Sequence, residues 1–211
     1  EVSGTTGADD DNNGYVDDVH GINLIDPNET PMDDHGHGTH VAGIIAMENN
    51  NVGGVGIAYK SKIMPIKAGG SDGTFNIAKA IVYAYKNGAD VINMSFGSYA
   101  HSALIENALQ DAFNSCVLVA AAGNYGIPTA DCPLGGQNMY PASYSYVIGV
   151  MAYDEANSFA SFSNWDYAPN ANAEYEVVAP GVNIYSTLPN GRYATWNGTS
   201  MAAPMVSAEA A

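Results

Sequence analysis

The chain has 211 residues, of which 46% are hydrophobic and only 13% are charged. This balance predicts one globular domain with a sizeable core and excludes a disordered or fibrous chain. The formal net charge of −16 disfavours nucleic acid and anionic membranes as partners. The excess of acid favours bound cations, or else it serves only to keep the protein soluble.

Residues 1–36 are polar and acidic, and they predict a loop region without a strand. The run DDDNNGYVD within them is typical of the opening of an EF-hand calcium loop, with oxygen ligands at alternate positions and a glycine at the sixth. A standard EF-hand is excluded because His20 stands where the loop needs a bidentate acid. The expected calcium ligands are Asp9, Asp11, Asn13, Asp17 and Asp18. The alternative is a solvated acidic turn.

The remainder of the chain alternates short apolar runs with helical patterns. The apolar runs predict buried strands over residues 63–66, 91–95, 116–122, 146–150 and 176–179. Helical spacing predicts helices over residues 37–47, 76–87 and 102–114, and another helix after the glycine turn at Gly198. This alternation predicts an α/β fold with a mainly parallel, doubly wound sheet, whose ligands lie beyond the C-terminal ends of the strands.

A histidine-rich run, DHGHGTHVAG, opens the first predicted helix. A helix dipole disfavours imidazolium at this end, so His37 is predicted to stay neutral and to accept a serine proton. His40 is predicted to be a buried structural residue and His35 a loop residue. A metallo-hydrolase site of the metallo-β-lactamase type is the competing interpretation. Thr39 replaces the aspartate of that pattern, and only His101 remains to complete the ligands.

Ser200 follows the glycine turn and stands at the start of the last predicted helix. Gly198 permits the bend, and Thr199 is expected to cap the helix. Free N–H groups and the positive end of the dipole then face any negative charge that forms beside the Ser200 hydroxyl. Pro204 is expected in the first helical turn, where its missing N–H costs little. Alone, this run is more often a plain helix start.

Four motifs spread over most of the chain resemble, in content, order and spacing, those of the subtilisin-like serine peptidases, or subtilases. They are GHGTHVAG at 36–43, DVINMSFG at 90–97, AAAGN at 120–124 and NGTSMAAP at 197–204. The resemblance implies a serine endopeptidase with a three-layer αβα fold. It implies His37 as general base and acid and Ser200 as nucleophile. It also implies an oxyanion hole made by the Asn124 side chain and the Ser200 N–H.

By the same resemblance, a substrate lies extended along residues 95–97 as an added strand, with residues 71–74 on its other side. The residues expected to contact substrate are Ser95, Phe96, Gly97, Ala121, Ala122, Gly123 and Met139. The small side chains leave a pocket with Met139 near its floor, which favours apolar groups. The alternative is that the alanines only pack a central strand. Tyr140–Pro141 is expected to hold a cis peptide bond.

The catalytic aspartate of the family has no counterpart here, because the apolar strand that it should close is missing upstream of the histidine motif. Asp26 lies only eleven residues before His37 and belongs to the loop after that strand. Asp33 and Asp34 are too near His37 along the chain to reach around its ring, and we expect them to order the loop. The triad acid is therefore expected outside this chain.

Residues 1–211 are accordingly expected to be an internal piece of a subtilase catalytic domain, truncated at both ends and nearly inactive alone. The rival hypothesis is a non-catalytic relic or a calcium-binding scaffold. The resemblance implies structural calcium, polypeptide substrates, an N-terminal propeptide and an extracellular location, without organic cofactor or membrane span. A second calcium candidate is the loop at 48–53. Cys116 and Cys132 could pair, but their spacing does not fix the Cβ geometry.

Overall fold

The secondary structure alternates strands and helices over most of the chain. The computed structural model describes residues 7–9, 11, 13–69, 73–167 and 174–211. After a 3-10 turn at Asp18–His20, the elements are β1 (Ile22–Asn23), α1 (His37–Ala46), β2 (Ile66–Lys67), α2 (Gly73–Lys86), β3 (Val91–Met94), α3 (Ala103–Ala112), β4 (Val117–Ala121), β5 (Ile148–Tyr153), β6 (Val177–Pro180), β7 (Ile184–Leu188), β8 (Arg192–Trp196) and α4 (Thr199–Ala210).

The main sheet has four parallel strands in the order β3-β4-β5-β6. Each strand is short and apolar, as expected for strands that are covered on both faces. Val91 pairs with Val117, and the register continues to Met94 opposite Ala120. The predicted α/β fold with a mainly parallel sheet is confirmed.

Helices cover both faces of this sheet. Successive side chains of β4 point to opposite faces, and each face is apolar and packs against helices. Leu118 packs with the buried residues of α2 and α3, among them Ile81 and Leu109. Val119 packs on the opposite face with Ala202 and other alanines of α4. The arrangement is a three-layer αβα sandwich that places the start of α4 beyond the C-terminal ends of β3 and β4.

A separate two-stranded parallel sheet is formed by β1 and β2, where Ile22 lies opposite Ile66. The prediction of no strand within residues 1–36 was therefore wrong, because two residues suffice for β1 once Ile22 is buried beside Tyr83 of α2. The same helix packs on the four-stranded sheet through Ile81. Among the described residues, β2 pairs only with β1, and β3 pairs only with β4.

The antiparallel hairpin β7–β8 was not predicted from the sequence. Asn190 and Gly191, at its turn, have φ angles of 64° and 67°. Two adjacent positive φ values are the signature of the tight hairpin turn that Asn-Gly favours. The dipeptide was the available signal, and it was overlooked.

The cysteines and one proline bear on two other expectations. Cys116 and Cys132 are both buried free thiols, so the alternative of a bridge between them is not realised. The Tyr140–Pro141 peptide bond is cis, as predicted. Within the described ranges, the helices are too short or too polar to cross a bilayer.

Candidate active site

Ser200 is the second residue of α4 and lines a cleft of about 420 Å³. The chain enters the helix through Gly198, whose φ of 154° and whose N–H bond to Gly181 O (2.8 Å) fix the sharp bend. Gly198, not Thr199, is the N-terminal cap, so the predicted capping role of Thr199 was wrong. Its hydroxyl is used elsewhere, because it donates to Asn124 Oδ1 (2.9 Å).

Pro204 also differs from its prediction. It lies inside α4, beyond the first turn, at a position whose N–H would normally pair with the Ser200 carbonyl. That carbonyl accepts instead from the Ser95 hydroxyl at 2.9 Å. The Ser200 hydroxyl in turn donates to the Ser95 carbonyl at 3.1 Å.

His37 is the first residue of α1 and lines the same cleft as Ser200. Burial lowers the pKa of the His37 ring, the nearby His35 and His40 lower it further, and Asp33 acts in the opposite direction. The ring is therefore neutral at a pH where an ordinary histidine is partly charged. A neutral imidazole beside a serine hydroxyl is able to accept a proton.

Asp33 orders the entry into α1. Its carboxylate accepts from the N–H groups of His35 (3.0 Å), Gly36 (2.7 Å) and Thr39 (2.8 Å), and from the Thr39 hydroxyl (2.7 Å). Partial burial raises the pKa of Asp33, but these hydrogen bonds outweigh it and lower the pKa to about 2. The prediction that Asp33 orders the loop is confirmed. In the described part of the chain, no carboxylate bonds to the His37 ring.

His40 is fully buried, as predicted, and its Nε2 lies 3.1 Å from Ala194 O. The Trp196 ring stacks on it with centroids 4.6 Å apart and reaches towards His37, at 6.4 Å. Trp196 forms a wall of the cleft. Sequence reasoning missed this residue, although it stands directly before the NGTS motif.

Asn124 follows β4 and faces the start of α4. Its Oδ1 accepts from the Thr199 N–H (2.8 Å) and the Thr199 hydroxyl (2.9 Å), which fixes the orientation of the amide. Asn124 is exposed as a residue. The Thr199 hydroxyl also accepts from Gly123 N at 3.1 Å, which ties β4 to the helix.

Met139 lies between the ends of β3 and β4, under two glycines. A Cβ at Gly97 would approach Met139 Sδ to 2.8 Å, and one at Gly123 would approach Met139 Cε to 2.7 Å. Ala121 and Ala122 are buried in the cores on the two sides of β4, which agrees with the packing alternative. The two glycines therefore allow Met139, which is 4% exposed, to pack directly against the chain after β3 and β4.

The other residues expected near a substrate differ in their exposure to solvent. Phe96 is 43% exposed, whereas Ser95 is 7% exposed and turned towards α4. Of the segment at 71–74, Gly73 and Thr74 start α2. Ser71 and Asp72 lie outside the described residues.

Residues 2–211 match the subtilase family. The chain belongs to the subtilase family. It is 44% identical over 198 residues to the thermophilic serine proteinase of Bacillus sp. (strain AK1), covering 92% of this chain and 46% of that protein. This subtilase chain thus spans about half the length of that relative.

Two further relatives support the family and the fold. Subtilisin Savinase of Lederbergia lenta is 40% identical over 195 residues, which cover 90% of this chain and 67% of Savinase. Among solved structures, the S41 psychrophilic protease superposes with a TM-score of 0.73 at 32% identity, covering 84% of this chain and 62% of that one. The predicted family and subtilisin-like fold are confirmed.

The acidic loop of this subtilase forms a tight local network. Asp9 accepts from the N–H groups of Asn13 (3.1 Å) and Gly14 (2.9 Å). The Asn13 Nδ2 lies within hydrogen-bonding distance of Asp11 Oδ2 (3.1 Å), Asp18 Oδ2 (2.7 Å) and Asn87 Oδ1 (3.0 Å). Three oxygens thus converge on one amide nitrogen. Such a set of oxygens is of the kind that calcium binds.

Asp17 is oriented away from this convergence, since its carboxylate accepts from Gly7 N at 3.0 and 2.8 Å. The second candidate loop, at 48–53, closes on itself through the Asn50 amide, which donates to Glu48 Oε2 at 3.3 Å. The described residues contain no group of three or more His, Cys, Asp or Glu side chains arranged to hold a metal. Any cation in the acidic loop would therefore depend on amide and backbone oxygens as well.

The histidines do not form a metal site within the described ranges. His40 faces a backbone carbonyl, and His101 lies 2.9 Å from Glu106 on the surface. The interpretation as a metallo-hydrolase of the metallo-β-lactamase type therefore gains no support from their positions.

Proposed function

We propose that this subtilase is a serine endopeptidase that cleaves peptide bonds through an acyl-enzyme on Ser200. The observation that carries the proposal is that Ser200 and His37, at the N-termini of two helices, line one cleft. The lowering of the His37 pKa by burial supports its role as the base.

The chemistry proceeds in two halves. Ser200 Oγ bonds to the substrate carbonyl carbon while its proton passes to a ring nitrogen of His37. The oxyanion accepts hydrogen bonds from the Ser200 N–H and Asn124 Nδ2. His37 then protonates the leaving amine as the C–N bond breaks. A water molecule hydrolyses the acyl-enzyme by the reverse proton path, which restores Ser200.

The Ser200 hydroxyl must turn to reach His37, because it donates to the Ser95 carbonyl in the free protein. A rotation about the Cα–Cβ bond of Ser200 redirects it. Apo active sites often hold such bonds in a different arrangement until substrate arrives.

The acid of the triad is supplied, in this proposal, by a strand outside the 211 residues. Two features support it: β2 and β3 each have an edge without a partner in the described part of the chain, and both sheets lie under α2. A parallel strand inserted between them would satisfy both edges. The C-terminal end of that strand would lie at the same end of the sheet as Ser95 and His37. The chain alone is therefore proposed to be nearly inactive.

A polypeptide substrate is proposed to pair with residues 95–97 as an added strand, because main-chain pairing recognises an extended peptide without regard to its sequence. The side chain before the scissile bond is proposed to lie beside Gly97 and Gly123. It is proposed to be apolar, because Met139 packs against both glycines.

Structural calcium is proposed for the acidic loop, with Asp9, Asp11 and Asn13 as ligands and Asp18 beside them. The convergence of oxygens around the Asn13 amide supports this, since rotation of that amide would add its own oxygen. Calcium would screen the repulsion between the acids and tie the loop to Asn87. Asp17 is a weaker candidate ligand, because its carboxylate accepts from the Gly7 N–H.

We also propose that residues 1–211 are the interior of one catalytic domain, that the protein acts outside the cell, and that an N-terminal propeptide precedes it. The family's members named subtilisin and alkaline protease support an enzyme of this class. No nucleic-acid partner is proposed, since a net charge of −16 would repel it.

The rival hypothesis is a non-catalytic scaffold. It is favoured because, among the described residues, no carboxylate bonds to the His37 ring. Fluorophosphonate labelling of the full-length natural protein separates the two. A single adduct that peptide mapping assigns to Ser200, and that Ser200→Ala abolishes, supports the peptidase. A folded full-length protein that takes no adduct would favour the scaffold.

A further inference from the structure

The first turn of α4 has a missing backbone hydrogen bond. In an α-helix the N–H of residue 204 would pair with the carbonyl of Ser200. Pro204 is buried inside the helix and has no N–H, and a proline ring also crowds the carbonyl four residues before it. The carbonyl without its helical partner is therefore that of Ser200, the proposed nucleophile.

Ser95 supplies the substitute. Its hydroxyl donates to the Ser200 carbonyl at 2.9 Å, and the residue is 7% exposed. The Ser200 hydroxyl donates back to the Ser95 carbonyl at 3.1 Å. The end of β3 and the start of α4 are thus joined by two reciprocal hydrogen bonds between the same pair of residues.

A second pair of side chains fixes the direction of the Ser95 hydroxyl. Asn93 Nδ2 donates to Ser95 Oγ at 3.0 Å, so this oxygen acts as acceptor towards β3 and keeps its own proton for Ser200. Asn93 Oδ1 accepts from the Ser207 hydroxyl at 2.9 Å, two turns further along α4. Ser207 is 2% exposed and also lies 3.1 Å from Ala203 O.

We infer that Ser95 is a positioning residue whose hydroxyl replaces the missing Pro204 N–H and thereby sets the orientation of Ser200. Holding the Ser200 carbonyl restricts rotation about the Cα–C bond of that residue. The direction of its Cβ–Oγ bond and of its N–H into the cleft is restricted with it. The inference rests on the proposed function, since it assigns Ser95 a part in presenting the nucleophile.

The distinctive consequence is an energetic coupling between residues 95 and 204. With proline at 204, removing the Ser95 hydroxyl takes away the side-chain partner of a part-buried carbonyl. In the Pro204→Ala variant, the new N–H bonds to the same carbonyl, and the Ser95 hydroxyl becomes redundant. A hydroxyl that serves only general packing would show no such dependence on residue 204.

The test is a double-mutant cycle in the full-length natural protein with Ser95→Ala, Pro204→Ala and both together. Two quantities are measured: the rate constant of fluorophosphonate reaction at Ser200 and the equilibrium constant of unfolding in urea. With Pro204 present, Ser95→Ala is expected to slow labelling by about tenfold and to raise the unfolding constant by about tenfold. In the Pro204→Ala background, both effects of Ser95→Ala are expected to fall below about twofold.

Ser186→Ala is the matched control, because the buried Ser186 hydroxyl also donates to a helix carbonyl, that of His40 (2.7 Å), far from residue 204. Its effect on unfolding is expected to be equal in both backgrounds. Equal effects of Ser95→Ala in both backgrounds would overturn the inference. The substitutions at 95 and 204 could prove coupled in unfolding while Ser200 takes no label. That result would support the hydrogen bond but contradict both the positioning role and the proposed peptidase.

Discussion

Asn124 accepts two hydrogen bonds through one oxygen, both from Thr199: one from its N–H at 2.8 Å and one from its hydroxyl at 2.9 Å. The first residue of α4 thus fixes the amide that the proposed mechanism uses on the oxyanion. The residue before the nucleophile and the asparagine after β4 form one rigid unit.

Thr199→Val should weaken this unit without removing the donor. The amide would keep its bond to the Thr199 backbone, and kcat is expected to fall by about tenfold, with KM little changed. Asn124→Ala should cost about 10²–10³-fold, a reference magnitude that comes from a subtilisin itself. Thr187→Val is the control, because the Thr187 hydroxyl bonds to the Thr39 carbonyl instead. If Thr199→Val lowered kcat as much as Asn124→Ala, Thr199 would do more than orient the amide, and this account would be contradicted.

Asp33→Ala should destabilise the entry to α1. Loss of the bonds to Gly36 and Thr39 is expected to lower the free energy of unfolding by about 1–2 kcal/mol at pH 7. The pKa of Asp33 is about 2 in the folded state, below its ordinary 3.8. Its contribution is therefore complete above about pH 3.8 and is lost as the pH falls towards 2.

Urea unfolding at several pH values checks this, with Asp34→Ala as the control. Asp34 is exposed and pairs with Lys67 at 2.9 Å on the surface, so its removal is expected to change stability little. A difference between Asp33→Ala and the unmodified protein that stays constant from pH 7 to pH 2 would contradict the assigned pKa.

The rate of Ser200 labelling should fall at low pH as His37 becomes protonated, because the neutral ring is the active form. The acid midpoint of the rate profile therefore follows the pKa of His37, which burial lowers and the proposed triad acid would raise. His35→Gln removes a group that lowers the pKa of His37 and should move the midpoint up. Asp33→Asn removes one that raises it and should move the midpoint down. Shifts of the same sign would show that another group controls the profile.

Calcium should raise the thermal midpoint of unfolding through the acidic loop. A ligand that binds only the folded state stabilises it by mass action, so added CaCl2 is expected to raise the midpoint and EDTA to lower it. Asp11→Asn should reduce this response, whereas Asp111→Asn, an exposed acid of α3, should leave it intact. An equal response in both variants would favour general screening of the negative charge.

Periodic patterns predicted most of the fold. The strands and helices from β3 to β6 were found because burial on both sides leaves continuous apolar runs that are bounded by glycine or asparagine. β1 was missed because two residues carry no period, and only the pairing of Ile22 with Ile66 defines it. The β7–β8 hairpin was missed although Asn190-Gly191 marked its turn.

At the site, the motifs predicted the locations of His37, Ser200 and Asn124, since each stands after a strand or at the start of a helix. The positions of Trp196 and Pro204 depended on tertiary packing. Trp196 acquires its place by stacking on His40, which lies far away along the chain. The partner of the Ser200 carbonyl could not be inferred, because it required both the location of Pro204 within α4 and the approach of Ser95.

The most direct test of the account is to trap the acyl-enzyme. The full-length natural protein would be mixed with an activated ester of a short apolar peptide, quenched in acid, and examined by intact mass and peptide mapping. The account predicts one acyl group on Ser200, absent from Ser200→Ala and formed far more slowly in His37→Ala. No acyl group on a folded protein, or acylation that persists in Ser200→Ala, would contradict it.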